Sequence, residues 1–168
     1  MLGVVTVNGT GTDARQLDRE ANDLIARGIP LAGAVQRNPA GARDGRCHMD
    51  LHVLATDRTV RISQDLGPHA TGCRLDPNGL ETVVGIVAAD LNREPRPKLM
   101  IVNKFGKQEA DGKGFRPLIG RALTDGVPVL VGVPPGHRAG FDAFADGLSE
   151  QVSPSFQSVL AWAEKAAA

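Results

Sequence analysis

Apolar residues in this chain fall into short blocks separated by stretches of helical period. LGVVTV (residues 2–7), PLAGAV (30–35), LMIV (99–102) and VPVLVGV (127–133) are nearly unbroken apolar runs, as expected of strands buried on both faces of a sheet. Between the first two, Leu17, Ala21, Leu24 and Ile25 share one face of a helix over residues 13–27, capped by Thr12 or Asp13 and stopped by Gly28. Asp76-Pro77 opens another helix that runs to about Asn92, a cap residue followed by proline in the first turn. Phe115, Leu118, Ile119 and Ala122 mark a third helix ending at Gly126. Phe156, Val159, Leu160 and Trp162 mark the last, over residues 155–167. CHMDLHVLATDRTVRIS (47–63) alternates and breaks at Thr56-Asp57-Arg58, which predicts a β-hairpin. PPGHRAG reads as a loop and AFADGL as a short turn.

Strands alternating with helices imply an α/β fold in a single domain, residues 1–168, with a doubly wound, mostly parallel sheet and the β-hairpin inserted. Such sheets take ligands beyond the carboxyl ends of their strands. Three loops qualify: 8–13, 103–112 and 133–139.

Composition narrows the partners. Lys+Arg and Asp+Glu are 19 each, with no Tyr and one Trp, so neither a basic footprint nor an aromatic platform points to nucleic acid. No apolar run approaches the roughly 18 to 20 residues of a membrane helix. The start of the chain has no basic leader, and two cysteines make no disulfide framework. A cytoplasmic protein is expected, with homo-oligomers left open.

VVTVNGTGTDARQLDREA (4–21) runs from strand through a glycine-rich loop into a helix, as a phosphate-cradling loop does. Gly9, Thr10, Gly11 and Thr12 could present backbone N–H groups and hydroxyls to an anion, or form only a tight turn with a Thr/Asp cap. The lysine and Ser/Thr that complete a working loop are replaced by Asp13 and Ala14.

Strand alternation sets His48, Asp50 and His52 on one hairpin face, with Cys47, Met49 and Leu51 on the other. The first set suits either a solvent-facing strand or a divalent metal, and a closed metal site would need His69 or Cys73 as well. Cys47 and Cys73 are candidates for soft metal ligation or redox pairing, with Arg74 favouring a thiolate, or for buried small apolar side chains. A metal at Cys47, His48 and Cys73 is thus one expectation. No nucleophile elbow or dinucleotide fingerprint occurs.

RISQDLGPHATGCRLDP and IVNKFGKQEADGKGFRP, with GCRLDP and NKFGKQEA as the most specific stretches, resemble a family of small bacterial proteins associated with molybdate-uptake ABC transporter components. The resemblance covers the chain from about residue 24 onward. That family is in turn similar to small P-loop nucleoside triphosphatases, through GIPLAGAVQ, DLHVLATDRTVRIS, LMIVNKFGKQE and FRPLIGRALTDGVPVLVGV. It implies a P-loop-NTPase-like three-layer sandwich in which LMIVN is the strand whose end should carry metal-holding carboxylates. Here those positions are Asn103 and Lys104, so both halves of a hydrolytic apparatus are missing. The resemblance also brings Lys104 and Lys107 to the crevice and places Glu109 near it, to pair with Lys107 or Arg116. The expected function is non-hydrolytic binding of an oxyanion (molybdate, tungstate or phosphate) or a nucleotide in molybdenum homeostasis. Gly9 to Thr12 would hold the ligand, with Asn103, Lys104 and Lys107 opposite. A divergent nucleoside-triphosphate phosphohydrolase is one alternative. Another is an interaction module for a transporter subunit or molybdoenzyme.

Overall fold

The described residues of the computed structural model are 1–8, 14–37, 48–64, 66–67, 69 and 74–168. In chain order they form β1 (Leu2–Thr6), α1 (Ala14–Ala26), β2 (Leu31–Gln36), β3 (Asp50–Val53), β4 (Arg58–Arg61), α2 (Pro77–Asp90), β5 (Leu99–Val102), α3 (Lys107–Ala110), α4 (Arg116–Thr124), β6 (Val129–Val133), α5 (Arg138–Ala145), β7 (Ser149–Gln151) and α6 (Phe156–Ala167). A single 3₁₀ turn, Pro135–His137, precedes α5.

The strands form one mostly parallel sheet in the order β4-β3-β2-β5-β6-β1-β7. β7, β1, β6, β5 and β2 run parallel, and the β3–β4 hairpin adds to the outer edge of β2 with antiparallel pairing. β6 therefore lies between β1 and β5, and the connection from β1 through α1 crosses two strands before reaching β2.

The apolar blocks become strands because both of their faces are covered. On one face α2, α4 and α5 pack Val83, Val87, Ile119 and Phe141 against Ala34, Met100, Val102 and Val131. On the other, α1 and α6 pack Leu17, Leu24, Val159 and Trp162 against Val5, Val35, Ile101 and Leu130. The result is a doubly wound three-layer sandwich. α2 starts where the sequence indicates: Asp76 accepts the N–H of Asn78 at 3.0 Å and Pro77 opens the first turn. The hairpin turns through Asp57 at φ 55°, a left-handed conformation that Asp tolerates.

Three elements depart from expectation. PPGHRAG and AFADGL, read as loop and turn, contain the 3₁₀ turn and α5, whose buried residues Phe141 and Ala145 are one helical turn apart. β7 is a three-residue edge strand held by its pairing to β1. Ile25, placed on the inner face of α1, is 42% exposed.

A crevice at the carboxyl ends of the strands

The segment leaving β5 is stitched to both neighbouring strands. The N–H of Asn103 donates to the Ala34 carbonyl of β2 at 3.2 Å, and that of Phe105 to the Gly132 carbonyl of β6 at 2.8 Å. A Cβ on residue 132 would collide with the Asn103 carbonyl oxygen, so this approach requires glycine there. Phe105 is fully buried and meets Phe141 of α5 edge-on at 5.4 Å and Phe144 stacked at 5.8 Å. Apolar anchorage under α5, with Arg116 over the Phe144 ring at 5.1 Å, fixes where the flanking polar residues stand. The end of β1 reaches the same edge, with the Val7 N–H donating to the Val133 carbonyl at 3.1 Å.

Asn103 and Lys104 line a chamber of about 240 Å³ at this edge. Its walls are largely apolar: Ala34 from β2, Met49 and Leu51 from the hairpin, Leu80 from α2, and Phe115. Asn103 is 6% exposed, and its Oδ1 is buried with no hydrogen-bond donor among the described residues. Lys104 is exposed and makes no ion pair among the described residues. Lys107 also reaches the chamber lining, but its side chain is 78% exposed and its Nζ lies 2.7 Å from Asp111. That ammonium, with Lys113 beyond it, holds the Asp111 carboxyl below its ordinary range.

Glu109 does not pair with Lys107 or with the guanidinium of Arg116. It is 3% exposed; Oε2 accepts the N–H of Gly106 at 2.9 Å and Oε1 that of Phe115 at 3.0 Å. One carboxylate thus caps the starts of α3 and α4, satisfying donors that helix termini leave over. Arg116 turns instead to the carbonyls of Glu109 and Ala110, at 3.5 and 3.3 Å. Glu109 is therefore spent on backbone.

The hairpin face splits in two. His48 Nδ1 accepts from the Arg61 guanidinium at 2.8 Å, and Asp50 bonds the same guanidinium. His52 is 6% exposed rather than solvent-facing, with Nδ1 3.4 Å from the Thr59 hydroxyl and Nε2 3.2 Å from Asp57. Burial lowers its pKa, as does nearby Arg37, against the opposing pull of Asp57 and Asp18. Among the described residues no group of three His, Cys, Asp or Glu side chains could hold a metal. Cys47 and Cys73, and the loop residues Gly9, Thr10, Gly11 and Thr12, lie outside the described residues.

Sequence reasoning missed Glu20. It is 2% exposed on α1, with Oε1 accepting from Gln16 at 3.1 Å and Oε2 unpaired among the described residues. Burial pushes its carboxyl from 4.5 up to about 7, despite the Gln16 hydrogen bond and the charge of Arg19. The signal was present, since residue 20 lies three positions after Leu17 and four before Leu24, on the apolar face.

Comparison with known proteins agrees with this architecture. A human cancer-related nucleoside triphosphatase, solved in solution, superposes with a TM-score of 0.66 over 97% of both chains at 13% identity, a likeness of fold. A Bradyrhizobium diazoefficiens protein, "Molybdenum import ATP-binding protein ModC 2", is 34% identical over 142 residues, or 84% of this chain. The chain spans 16% of that relative's length. The family model described as "Protein of unknown function (DUF2478)" matches residues 2–162, and the chain belongs to that family. The fold is the P-loop-NTPase-like sandwich that the sequence resemblance implied.

Proposed function

Starting from that membership and from the crevice, we propose that the protein binds a compact oxyanion or the phosphate of a nucleotide without hydrolysing it, in the service of molybdenum homeostasis. The observation that carries this reading is Lys104. Where a P-loop hydrolase needs a carboxylate to hold metal and direct water, this chain has an ammonium with no ion pair among the described residues. The neighbouring Asn103 is uncharged and Glu109 is committed to two backbone N–H groups, so neither stands in for the missing base. A cation at the strand ends attracts an anion and repels Mg²⁺. In this reading Gly9 to Thr12 complete the cradle with N–H groups at the start of α1, and Lys107 assists from α3. Similarity, at 34% identity, to part of a protein named for molybdenum import and ATP binding supports molybdate, tungstate or a nucleotide as the ligand.

The test is thermal unfolding in phosphate- and sulfate-free buffer with millimolar molybdate, sulfate, phosphate or Mg-ATP. A ligand at 100 times its Kd adds about 2.7 kcal/mol, or roughly 5 to 10 °C of midpoint for a chain of this size. Lys104→Ala removes the shift if the reading holds. The fold likeness to a nucleoside triphosphatase favours a second reading, divergent hydrolysis. Mg²⁺-dependent phosphate release abolished by Lys104→Ala would establish it in place of the first. If no ligand shifts the midpoint, docking of a transporter subunit or molybdoenzyme on the hairpin becomes the better account.

A further inference from the structure

The chamber that Lys104 lines has more apolar wall than a compact anion needs. Most of its wall is apolar, with Met49, Leu51, Leu80 and Phe115 prominent, surface that gains nothing from molybdate or phosphate, although Gln36, Gln108 and His137 also reach the lining. At about 240 Å³ it falls below the roughly 300–1,000 Å³ of pockets that enclose whole drug-sized ligands, and it has room for a single ring system. Among the polar residues of its lining, Asn103 stands apart. Asn103 is 94% buried, and its carboxamide oxygen has no donor among the described residues. An unpaired buried acceptor is costly to a folded chain, and a bound partner relieves that cost. A half-turn of the amide exchanges its oxygen and nitrogen, so the same side chain can offer an acceptor or a donor to the chamber. A largely apolar wall beside the Asn103 amide matches a flat ring carrying adjacent donor and acceptor atoms. Asparagine meets an adenine edge by this chemistry.

We infer that the chamber is a subsite for a neutral heteroaromatic ring, the class that includes nucleobases, hydrogen-bonded to Asn103. The inference rests on the anion reading above for one feature only: Lys104 lines the same chamber, so a ring seated there has its anionic group at the strand ends. The ligand is then a ring-bearing anion rather than a bare oxyanion. Volume and wall chemistry carry the ring, and Lys104 carries the charge.

The experiment is calorimetric titration and thermal unfolding of the full chain with adenosine, guanosine and cytidine, with phosphate and molybdate, and with the corresponding nucleoside monophosphates. The expected result is a midpoint rise with at least one uncharged nucleoside, and tenfold or more tighter binding of its monophosphate than of either part. Met49→Trp, which fills the chamber from the hairpin side, removes nucleoside binding and leaves the response to the inorganic anion. Asn103→Leu weakens the nucleoside at least tenfold. Unliganded midpoints within a few degrees of wild type verify that both variants fold, and should one not fold, the other decides. A response to inorganic anions with none to any nucleoside overturns the ring subsite and leaves the anion reading standing. A nucleoside response without an anion response does the reverse. Nucleoside binding unchanged by Met49→Trp and Asn103→Leu also overturns the ring subsite.

Discussion

Glu20→Gln should stabilise the protein at alkaline pH, by an amount set by the burial of one carboxyl. In the fold Glu20 is 2% exposed on α1, with Oε2 unpaired and Gln16 bonding only Oε1. Burial raises its pKa from 4.5 to about 7, against Gln16 and Arg19. The folded state therefore holds a proton that the unfolded state releases earlier. Stability contributed by this group is complete below about pH 4.5 and is lost as pH rises through about 7. A difference of about 2.5 in pKa corresponds to about 3 kcal/mol at full ionisation, a ceiling that relaxation and water entry reduce. Glutamine keeps the acceptor for Gln16 and cannot ionise. Urea unfolding of both proteins at pH 5 and pH 8.5 should show a variant gain of about 1 to 3 kcal/mol at the higher pH relative to the lower, or roughly 2 to 12 °C in midpoint. A stability difference between the proteins that is the same at both pH values would refute the assignment of a buried, proton-holding Glu20.

Glu109→Gln leaves one backbone N–H facing an amide nitrogen in place of an oxygen, and should cost about 1–3 kcal/mol in chemical unfolding. Gly33→Ala should destabilise by at least about 3 kcal/mol, since residue 33 has φ 107° and a Cβ there would collide with the Ile101 carbonyl oxygen; soluble yield and midpoint report it. Asp76→Ala removes the side-chain cap of α2 and should cost about 1 kcal/mol, read as a midpoint loss of roughly 2 to 4 °C. His52 is a base whose folded pKa is lowered, chiefly by burial, so the stability it contributes is present above 6.5 and is lost as pH falls below that value. His52→Gln should flatten that part of the acid limb between pH 6.5 and 5, measured by midpoint against pH.

What was legible in the sequence follows from how locally each feature is determined. The four central strands announce themselves because burial on both faces permits only apolar residues. α2 does so because a cap and a proline act within a few residues of one another. α5 was hidden because only two of its eight residues are buried and the ring that meets Phe141, Phe105, lies more than thirty positions earlier. Three polar residues of β7 carry no period at all, and the strand exists through its register with β1. His52 was assigned outward by alternation alone. Yet the face it occupies is shared with Val35, its partner across β2, and covered from the side of α1, where Asp18 and Asn22 hold Arg37. The positions of Asn103 and Lys104 could be named in advance. That the first would be buried without a donor beside an apolar chamber depends on five separate segments meeting, which no local pattern encodes.

The crevice has a charge arrangement that follows from these placements. Two lysines and one glutamate arrive together after β5, and the sequence reading pairs the glutamate with Lys107 or Arg116. In the fold Lys107 goes to Asp111 on the next turn of its own short helix, while Glu109 turns inward to two backbone donors. A buried carboxylate bonded to N–H groups at two helix starts is satisfied, and drawing it away would expose both donors and the charge to desolvation. It is therefore held back from metal or water at the crevice. Lys104 is left as the charge without an ion pair among the described residues, next to an amide whose oxygen lacks a donor. Catalysis by a P-loop hydrolase needs the opposite arrangement: a free carboxylate at the strand end and a metal beside it. In the proposed reading the segment that lacks such a free carboxylate offers Lys104 to the charged part of a ligand and the largely apolar recess lined by Asn103 to the rest.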